Sequence, residues 1–457
     1  MTTTRHDHHP EPRAASAAPT PATGCVVYWF RRDLRLDDNP GLLRAQAMAT
    51  QQGLPLQPVC VALPSLVRSP RGKLQRAQRV QTWVQQAQAD LACSLQALDS
   101  GLLRCADVDA LIAWAHSARA VAIFAEHIEL PYELKEQEKL TQAGPWHTEF
   151  VWQSGLFEAE QLPFSIDRLP AVFTAFRQKI ENAGLRSAAP LGAPLSLAPL
   201  PAAMPSPQTQ NGAAQVTPVE AHLAGSPHDA RSSIVASRQG GATAAMAHWM
   251  QFLSQQLPHR YFETRNGLHG ADFSTQLSVD LAWGALSVRR VVQRLDAFEA
   301  EHGSSKSSYW IWFELMWREH FRWLSYAHGA RLFHACGLAS QPRACTASAA
   351  DWQRWCEGQT GHDLIDAGMR ELRSTGFLSN RMRQIVASYW LHDMGGDWRA
   401  GAAWFESQLL DEDPYSNTGN WLYIAGLGTD PRGGRRFDPD KQARDHDPQG
   451  GYRRLWA

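Results

Sequence analysis

Two short segments of this 457-residue sequence group polar side chains at spacings that could do chemistry. The first sets two carboxylates and an amide within seven residues, at Asp411, Asp413 and Asn417. Acids this close usually form a solvated turn or bind a metal, and because no third ligand is evident we predict no metal site. The second segment, STQLS at 274–278, offers small hydroxyls and backbone N–H groups at a helix start. Such a segment suits either a helix cap or a bound phosphate.

The composition limits the kinds of protein in which these residues could act. The chain has 44 Lys and Arg against 45 Asp and Glu, a formal net charge of −1, so any nucleic-acid site must be a local patch. Seven cysteines without a C-x-x-C pair suggest neither a disulfide framework nor a metal cluster. Since no apolar run of about 18 residues and no signal-peptide core is present, we predict a cytoplasmic protein. Eighteen tryptophans indicate either a large helical core or indoles that handle bases or electrons.

Strand and helix patterns alternate over residues 25–160, which predicts an α/β domain with a doubly wound, parallel five-stranded sheet. The predicted strands are the segments CVVYWF, PVCVAL, LLRC, AVAIFA and EFVWQ. Apolar residues recur at gaps of three and four from Leu74 to Leu98, which predicts a helix there. No G-x-G-x-x-G follows the first strand, and the glycine cluster at 426–434 opens no helix, so we predict no dinucleotide site of the Rossmann type.

Outside this domain the composition changes twice. Residues 1–24 are predicted to be a disordered tail, and residues 161–243, rich in Ala, Pro, Ser and Gly, to be an interdomain connection that is partly disordered. Residues 244–457 are predicted to form an all-helical domain. Within that domain the segment 308–327 is aromatic almost all round, which indicates a buried central helix.

Five longer motifs stand in the chain in the order FRRDLRLDDNPGL (30–42), YFETRNGLHGADFSTQLS (261–278), WFELMWREHF (312–321), STGFLSNRMRQIVASYWLHDMGGDW (374–398) and LLDEDPYSNTGNW (409–421). Together they resemble the photolyase/cryptochrome family, and its DASH-type cryptochromes most of all. The resemblance implies an N-terminal antenna domain and a C-terminal helical domain that holds FAD in a bent conformation. The strand and helix patterns support this architecture independently, but they could not have named the flavin.

The resemblance implies a set of FAD contacts on this chain. Matched to the family's motifs, they are Tyr261, Ser274, Thr275, Gln276, Leu277, Ser278, Arg318, Asn380, Arg383, Asp411, Asp413 and Asn417. The segment 274–278 would hold the diphosphate, Asp411 and Asp413 would bond the ribose and the isoalloxazine edge, and Asn417 would face flavin N5. Asparagine is the photolyase-like residue there, because an amide can donate to or accept from N5 and so suits a fully reduced, anionic flavin.

The resemblance also implies light-driven repair of cyclobutane pyrimidine dimers by electron transfer from excited reduced FAD. The residues expected in the lesion pocket are Glu314, Trp317, Asn380, Gln384 and Tyr423. Glu314 would hydrogen-bond the pyrimidine edge, while Trp317 and Tyr423 would stack against the bases. Gln384 is the DASH-like residue and favours single-stranded DNA, where moving the dimer out of the stack breaks no base pairs.

Plainer interpretations of the pocket residues stay open at this point. Trp317 could pack in the core of an aromatic helix, and Glu314 could form an ion pair with Arg318 one turn later. Arg265 and Arg381 are the arginines expected to contact DNA phosphates.

An electron relay is implied as well, and here the chain departs from the family. Trp421 and Trp398 match the proximal and middle tryptophans of the family's relay. An ungapped count places Cys345 where the distal tryptophan is expected. Either Trp352 or Trp355 replaces the missing indole, or the relay ends early.

Glu129 matches, loosely, the acid that holds a 5,10-methenyltetrahydrofolate antenna in this group, and a carboxylate at a helix start would explain it equally well. The main functional hypothesis is therefore a DASH-type photolyase, a monomer without a membrane partner that acts on UV-damaged DNA, chiefly single-stranded. The alternative is a blue-light photoreceptor that uses the same flavin site for signalling. A dark flavin oxidoreductase has little support, because no nicotinamide-binding motif is present.

Overall fold

The computed structural model describes residues 24–201, 238–270, 272–430 and 432–457. Residues 1–23 of the predicted tail and residues 202–237 of the predicted connection lie outside the described ranges. None of the helices in those ranges is long and apolar enough to cross a membrane.

The sheet of the α/β domain positions the loop FRRDLRLDD at its carboxyl edge. The strands are β1 (Cys25–Phe30), β2 (Leu56–Val61), β3 (Leu66–Ser69), β4 (Gly72–Gln75), β5 (Leu103–Cys105), β6 (Ala120–Glu126) and β7 (His147–Val151). Five of them form one parallel sheet in the order β5-β2-β1-β6-β7, which confirms the predicted doubly wound fold. The antiparallel hairpin β3–β4 was not predicted, because its strands have four residues each and are largely exposed.

The helices come from both domains and from the segment between them. In the described ranges they are α1 (Pro40–Gln52), α2 (Gln78–Gln96), α3 (Val108–Ser117), α4 (Pro131–Gln142), α5 (Phe173–Asn182), α6 (Ala242–Ser254), α7 (Tyr261–Thr264), α8 (Ser278–Ala282), α9 (Val288–His302), α10 (Lys306–His328), α11 (Ala349–Glu357), α12 (Asp363–Thr375), α13 (Asn380–Ser388), α14 (Trp398–Gln408), α15 (Pro414–Ala425), α16 (Pro439–His446) and α17 (Gly451–Leu455). One π-helical turn, Tyr389–Asp393, extends α13. The C-terminal domain is thus all-helical, as predicted.

Two sequence expectations need correction in detail. The helix expected from Leu74 to Leu98 is α2, which begins only at Gln78, because Leu74 belongs to strand β4. The predicted connection also contains helix α5, which packs in a core cluster with α6, α9 and α10. Beyond α5 the chain returns to the α/β domain, where the carbonyl of Pro199 accepts from the N–H of Leu56 at 3.0 Å.

Helix α10 is the buried central helix that the aromatic segment predicts. Ser305 caps its first turn by accepting from the N–H of Ser308 at 3.0 Å. The helix packs between two core clusters, with Phe321 and Leu324 in one and Trp312 and Trp323 in the other. Its remaining side faces a cavity and carries the residues at the centre of the candidate site.

The loop after β1 fastens the α/β domain to the helical domain through Arg32. Its Nη1 donates to the carbonyl of Glu412 at 2.8 Å, and its Nη2 pairs with the Glu412 carboxylate at 2.7 Å. The guanidinium also lies 4.7 Å from the ring centroid of Trp283. Gly284, which follows Trp283 in the chain, has φ +64°, and a Cβ there would lie 2.0 Å from the Arg32 carbonyl oxygen. Only glycine therefore allows the two domains to approach this closely.

A buried carboxyl makes stability sensitive to pH. Tyr452 of α17 donates to Glu371 of α12, and burial raises the pKa of Glu371 to about 8, although the Tyr452 hydroxyl and Arg383 oppose the rise. An ordinary glutamate ionises near pH 4.5. The folded state thus holds an extra proton between these values, so stability falls as pH rises through this window. Between about pH 5 and pH 8, we expect the melting temperature of Glu371→Gln to fall less with rising pH than that of the wild type.

Thermal unfolding across that pH range, compared with the exposed control Glu301→Gln, measures the effect. Parallel profiles for wild type and Glu371→Gln would contradict the assignment.

Candidate functional site

Two adjoining cavities lie beside helices α13 and α15, the outer one between these helices and α10 and the inner one between them and α14. The outer cavity measures about 590 Å³ and has a mouth open to solvent. The inner cavity is narrower and lies against the loop between α14 and α15. Residues that line both cavities form a common wall, consisting of Asn380, Gln384, Ser416, Asn420 and Ile424. A molecule in one cavity would therefore lie one layer of side chains from a molecule in the other.

Asp411 and Arg383 form an ion pair in the inner cavity, in which Asp411 is buried and Arg383 is partly exposed. Arg383 Nη2 lies 2.7 Å from Asp411 Oδ2, while Arg383 Nε donates to the carbonyl of Leu378 at 2.9 Å, which fixes the guanidinium. The second oxygen, Asp411 Oδ1, is buried and has no hydrogen-bond partner in the described residues. Because buried acceptors are normally satisfied, this oxygen fits a ligand that brings a hydroxyl or N–H donor. A ribose or the edge of an isoalloxazine ring supplies such a donor.

Asp413 both caps a helix and carries charge into the cavity. Its Oδ1 accepts from the N–H of Ser416 at 2.8 Å, which starts α15, and its Oδ2 lies 3.6 Å from Arg318 Nε. Burial alone would raise the pKa of Asp413, but Arg318, Arg322 and the Ser416 N–H hold it below its ordinary value. One turn along α15, the amide of Asn417 donates to the carbonyl of Ala402 at 2.9 Å, which fixes its orientation. Asn417 and Asp413 thus line the inner cavity with side chains whose orientations are fixed by these hydrogen bonds.

The segment expected to hold a diphosphate forms a turn before α8. The N–H of Gln276 donates to Ser274 Oγ at 3.3 Å, and the carbonyl of Thr275 contacts the ring of His248 at 2.8 Å. Gln276 and Leu277 are buried, and Gln276 has φ +51°. Of the five residues, Ser278 is exposed and lines the outer cavity. The helix-cap interpretation is therefore wrong here, because the N-cap residue of α8 is Leu277, no side-chain hydrogen bond caps this helix, and the Ser274 hydroxyl accepts within the preceding turn.

Tyr261 of α7 and Arg318 of α10 are two further residues matched to FAD contacts. Tyr261 of α7 is buried, and its burial raises its pKa, with the Glu314 carboxylate adding to the rise. It does not line either cavity wall. Arg318 lines the outer cavity and is held from behind by the carbonyl of Ser154 at 2.9 Å.

Glu314 projects from α10 into the outer cavity. Its Oε1 accepts from Arg265 Nη1 at 2.8 Å and from Trp310 Nε1 at 3.1 Å. The ion pair with Arg318 that the spacing allowed is not formed. Burial raises the pKa of Glu314, while Arg265 and the Trp310 indole lower it. A carboxyl whose pKa is raised can accept a proton more easily, which suits a hydrogen bond to a pyrimidine carbonyl.

Trp317 presents an aromatic face to the same cavity. Its ring is stacked on Phe173 of α5, with the centroids 3.7 Å apart and the planes at 12°. It also meets Tyr423 edge to face at 5.5 Å. One side of the Trp317 ring therefore packs on the core, which was the plainer interpretation of this residue. The side chain also lines the outer cavity together with Tyr423, as expected of a pocket residue.

The two arginines expected to contact phosphates lie in the cavity wall. Arg265 is paired with Glu314, and its guanidinium lies 4.9 Å from the ring centroid of Trp310. Arg381 donates to Gln384 Oε1 at 3.0 Å and to Asn266 Oδ1 at 2.9 Å. Both arginines line the outer cavity, and part of each guanidinium is already engaged in these contacts.

Sequence reasoning missed Arg435, which donates to the Tyr423 hydroxyl and lies 3.0 Å from Asp430 Oδ1 in the cavity wall. Arg435 reaches the wall of the outer cavity because it follows the glycine cluster at 426–434, to which we assigned no site. A Cβ on Gly426 would lie 2.2 Å from the carbonyl oxygen of Gly433, so the chain closes on itself and returns to Tyr423. The repeated glycines were the available signal. The sequence also did not indicate that Trp310, Phe313 and Asn420 line the cavity.

The tryptophans matched to the relay lie behind the inner cavity. Trp421 lines it and contacts the rings of Phe405 and Trp355 at 5.2 and 6.3 Å. Trp398 is buried at the start of α14 and donates from Nε1 to the carbonyl of Ala335 at 3.1 Å. Cys345 is exposed, with its Sγ 3.6 Å from the carbonyl of Arg343.

Glu129 lies apart from both cavities, near the junction of the two domains. It is half-buried, its Oε2 is 2.8 Å from His127 Nε2, and its N–H donates to the Tyr415 hydroxyl at 3.0 Å. The residue in the N-cap position of α4 is Leu130, so Glu129 does not cap that helix.

Comparison with known proteins agrees with this architecture. A family model described as DNA photolyase matches residues 26–201, and one described as the FAD binding domain of DNA photolyase matches residues 310–457. The fold and the two cavities thus define the class, that of two-domain flavoproteins built like DNA photolyases. A crystal structure of a bacterial class III photolyase from Agrobacterium tumefaciens superposes with a TM-score of 0.77 at 25% identity, covering 97% of this chain and 88% of that one.

More similar relatives place the chain within the class. Cryptochrome DASH of Gloeobacter violaceus is 37% identical over 449 residues, which cover 95% of this chain and 86% of that protein. The crystal structure of a Synechocystis cryptochrome superposes with a TM-score of 0.83 at 36% identity, covering 94% of this chain and 88% of that one. The chain belongs to the photolyase/cryptochrome family, in its cryptochrome DASH group. Its helical domain is the FAD-binding domain, which agrees with the cofactor implied by the sequence motifs.

Proposed function

We propose that the protein repairs cyclobutane pyrimidine dimers in light, chiefly in single-stranded DNA. Bound FAD, when reduced and excited by light, supplies the electron that splits the dimer. The observation that carries the proposal is the common wall of the two cavities, because Asn380 and Gln384 line both. A lesion in the outer cavity would lie against the same side chains as a flavin in the inner cavity.

The charge of the outer cavity supports a nucleic-acid ligand. Four arginines line it, namely Arg265, Arg318, Arg381 and Arg435, and Glu314 is the one acid among its lining residues. This is the local positive patch that a chain of net charge −1 requires if it binds DNA. The arginines would meet phosphates while the cavity receives the extruded bases.

Aromatic rings continue the cavity wall outward, which supports a single-stranded substrate. Phe313 is stacked on Trp310 with centroids 4.4 Å apart, and Phe262 meets Trp310 edge to face at 4.7 Å. Lys306 lies 3.7 Å from the centroid of the Phe262 ring. Alternating rings and cations are typical of grooves in which unpaired bases stack and phosphates bind.

Glu314 has a role of its own in this proposal. Its carboxyl would hydrogen-bond the pyrimidine carbonyls, with Arg265 and Trp310 holding it in place. Removing one partner of a buried hydrogen bond costs about 1–3 kcal/mol, which corresponds to roughly 5- to 150-fold in affinity or rate. We expect Glu314→Ala to reduce the repair rate on that scale, with Glu314→Gln intermediate because the amide nitrogen keeps a donor to a pyrimidine carbonyl.

The experiment uses reduced, FAD-loaded protein and UV-damaged oligothymidylate, both single-stranded and in a duplex. Recovery of thymine absorbance under blue light measures repair, and a dark sample serves as control. Glu301→Gln, on the exposed end of α9, is the matched variant and is expected to behave as wild type. Absence of repair by protein that holds reduced FAD would overturn the proposal and favour the photoreceptor alternative.

The remaining sequence predictions complete the proposal. Glu129, close to His127 and Tyr415, stays the predicted contact of a folate antenna. Trp421 and Trp398 stay predicted relay members. The monomeric state, the cytoplasmic location and the boundaries of the domains at residues 25–160, 161–243 and 244–457 are likewise predictions from the sequence.

A further inference from the structure

A third cavity lies where the α/β domain meets the helical domain. Its walls come from β4, the start of α2, the end of α12 and the face of α14 that carries Trp404 and Gln408. It opens to solvent, measures about 500 Å³ and shares no lining residue with the inner or the outer cavity. Small-molecule sites usually measure about 300–1,000 Å³, so the third cavity is large enough for a ligand of its own.

The charge of the third cavity is positive. Arg76, Arg79 and Arg373 line it, and its described lining residues include no aspartate or glutamate. Arg76 is neutralised, because its Nη2 lies 3.1 Å from Glu406 Oε1. In the described ranges Arg79 and Arg373 have no acidic partner; burial lowers the pKa of Arg79, and the charge of Arg373 lowers it further. Two guanidinium groups without a counter-charge favour an anionic ligand, and phosphate fits their N–H donors well.

The start of α2 adds backbone donors to this charge. The helix has 19 residues, its first turn carries no acid, and its N-cap residue Ala77 provides no side-chain cap. The N–H groups of Gln78 and Arg79 donate to no acceptor in the described part of the chain. The Arg79 guanidinium is held in place by the carbonyl of Leu372, 3.2 Å from Nη1, and by the carbonyl of Arg373, and these bonds leave other N–H donors available. A phosphate here would accept from the helix start and from both arginines.

A buried amide points to a ligand larger than a free anion. Gln408 is 8% exposed and lines the third cavity. Its Nε2 donates to Ser407 Oγ at 3.1 Å, whereas its Oε1 accepts no hydrogen bond from the described residues. Because buried acceptors are normally satisfied, this oxygen fits an N–H or O–H group of a ligand.

The side chains around Gln408 indicate what that ligand contains. Trp404 stands one turn earlier on the same face of α14 and is half-buried, so it offers an aromatic surface to the third cavity. Further amide side chains, which can both donate and accept, line the wall at Gln75, Gln78 and Gln81. An aromatic surface bordered by amides suits a flat ring with polar edges, such as a nucleobase.

We propose that the third cavity binds a nucleoside monophosphate. The phosphate contacts Arg79, Arg373 and the start of α2, while the base lies against Trp404 and Gln408. The ligand bridges the two domains, because α2 belongs to the α/β domain and α12 and α14 belong to the helical domain. Its binding therefore stabilises the folded chain by mass action. The proposal depends neither on the position of FAD nor on DNA repair.

The test uses the FAD-loaded full chain and three separate probes, namely adenosine monophosphate (AMP), adenosine and inorganic phosphate. Loading with FAD keeps AMP out of the flavin site. Calorimetric titration measures affinity, and the melting temperature at saturating probe measures stabilisation. The variants of the site are Arg79→Gln, Arg373→Gln and Gln408→Leu.

Two control variants accompany them. Arg294→Gln removes an exposed arginine of α9 that lines none of the three cavities. Arg381→Gln reports any AMP that enters the outer cavity, because Arg381 lines that cavity. Both controls are expected to bind AMP as the wild type does.

We expect AMP to bind more tightly than adenosine or phosphate and to raise the melting temperature. Arg79→Gln should weaken AMP binding by roughly 10- to 150-fold, because hydrogen bonds to charged groups are the stronger class. Arg373 is exposed, so Arg373→Gln should weaken it by up to about fivefold. Gln408→Leu should weaken AMP binding and leave phosphate binding unchanged.

The Arg373 side chain makes no hydrogen bond within the described ranges, so Arg373→Gln tests the site even if Arg79→Gln loosens the contact with α12. Failure of AMP to bind the wild type, or equal AMP affinity of the wild type and both arginine variants, would overturn the proposal. Loss of AMP binding in Arg381→Gln alone would assign the nucleotide to the outer cavity instead. Phosphate that binds as tightly as AMP would show a simple anion site and contradict a nucleotide ligand.

Discussion

Replacing Asp411 by alanine is expected to give a folded protein that loses FAD during purification. The buried Oδ1 is the acceptor that the cofactor would satisfy, and Oδ2 is the partner that orients Arg383. A hydrogen bond to a charged group contributes about 1.5–3 kcal/mol, so FAD affinity should fall by roughly 10- to 100-fold from the lost contact alone. Loss of the Arg383 orientation adds to this, because the guanidinium would be left without its buried partner.

The flavin-to-protein absorbance ratio after purification measures retention, and titration of flavin-free protein with FAD measures affinity. Asp393→Ala is a suitable control, since Asp393 also pairs with an arginine, Arg436, but at the surface and away from both cavities. Full FAD occupancy of Asp411→Ala would show that this carboxylate does not contact the cofactor.

The second large effect is expected at Trp317. Removing its ring in Trp317→Ala should weaken binding of damaged single-stranded DNA by roughly 5- to 150-fold, because a base stacked on an aromatic side chain gains about 1–3 kcal/mol. Trp317→Phe keeps an aromatic face and should lose much less. Phe173→Ala should be intermediate, since Phe173 supports the Trp317 ring from its other side.

Fluorescence anisotropy of a labelled, UV-damaged oligonucleotide in the dark separates this binding effect from photochemistry. Undamaged DNA of the same sequence reports the phosphate contacts, which these substitutions leave in place. Equal affinity of wild type and Trp317→Ala for the damaged strand would exclude stacking on this side chain.

Local pattern was sufficient for much of the fold. The buried strands of the parallel sheet are apolar runs separated by helix-length intervals, and α10 is marked by its aromatic residues. The hairpin β3–β4 escaped prediction because strands this short and exposed have no periodicity, and Leu74 at its end matched the helical pattern that follows. Tertiary contacts decided that boundary, as they commonly do.

Only those residues of the candidate site that lie within sequence motifs could be predicted. The residues at Asp411, Asp413 and Asn417 stand together in sequence, and the structure places them around one cavity. Glu314 shows the limit, because its i+4 neighbour Arg318 was the obvious partner, whereas the observed partner Arg265 is 49 residues away. Arg435 reaches the cavity only because Gly426 permits a tight return of the chain. Contacts of this kind depend on how the backbone packs in three dimensions, so they produce no recognisable spacing of residues in the sequence.

The Arg32–Glu412 contact between the domains has a consequence for the holoprotein as a whole. Glu412 stands between Asp411 and Asp413, so the loop that lines the inner cavity is the same loop that Arg32 of the α/β domain binds. Anything that stabilises this loop on one side stabilises it on the other, and such coupling is reciprocal. With FAD in the inner cavity, as we propose, cofactor binding and the contact between the two domains would be thermodynamically linked through this loop, so the α/β domain would support the cofactor site although its sheet lies outside the FAD-binding domain.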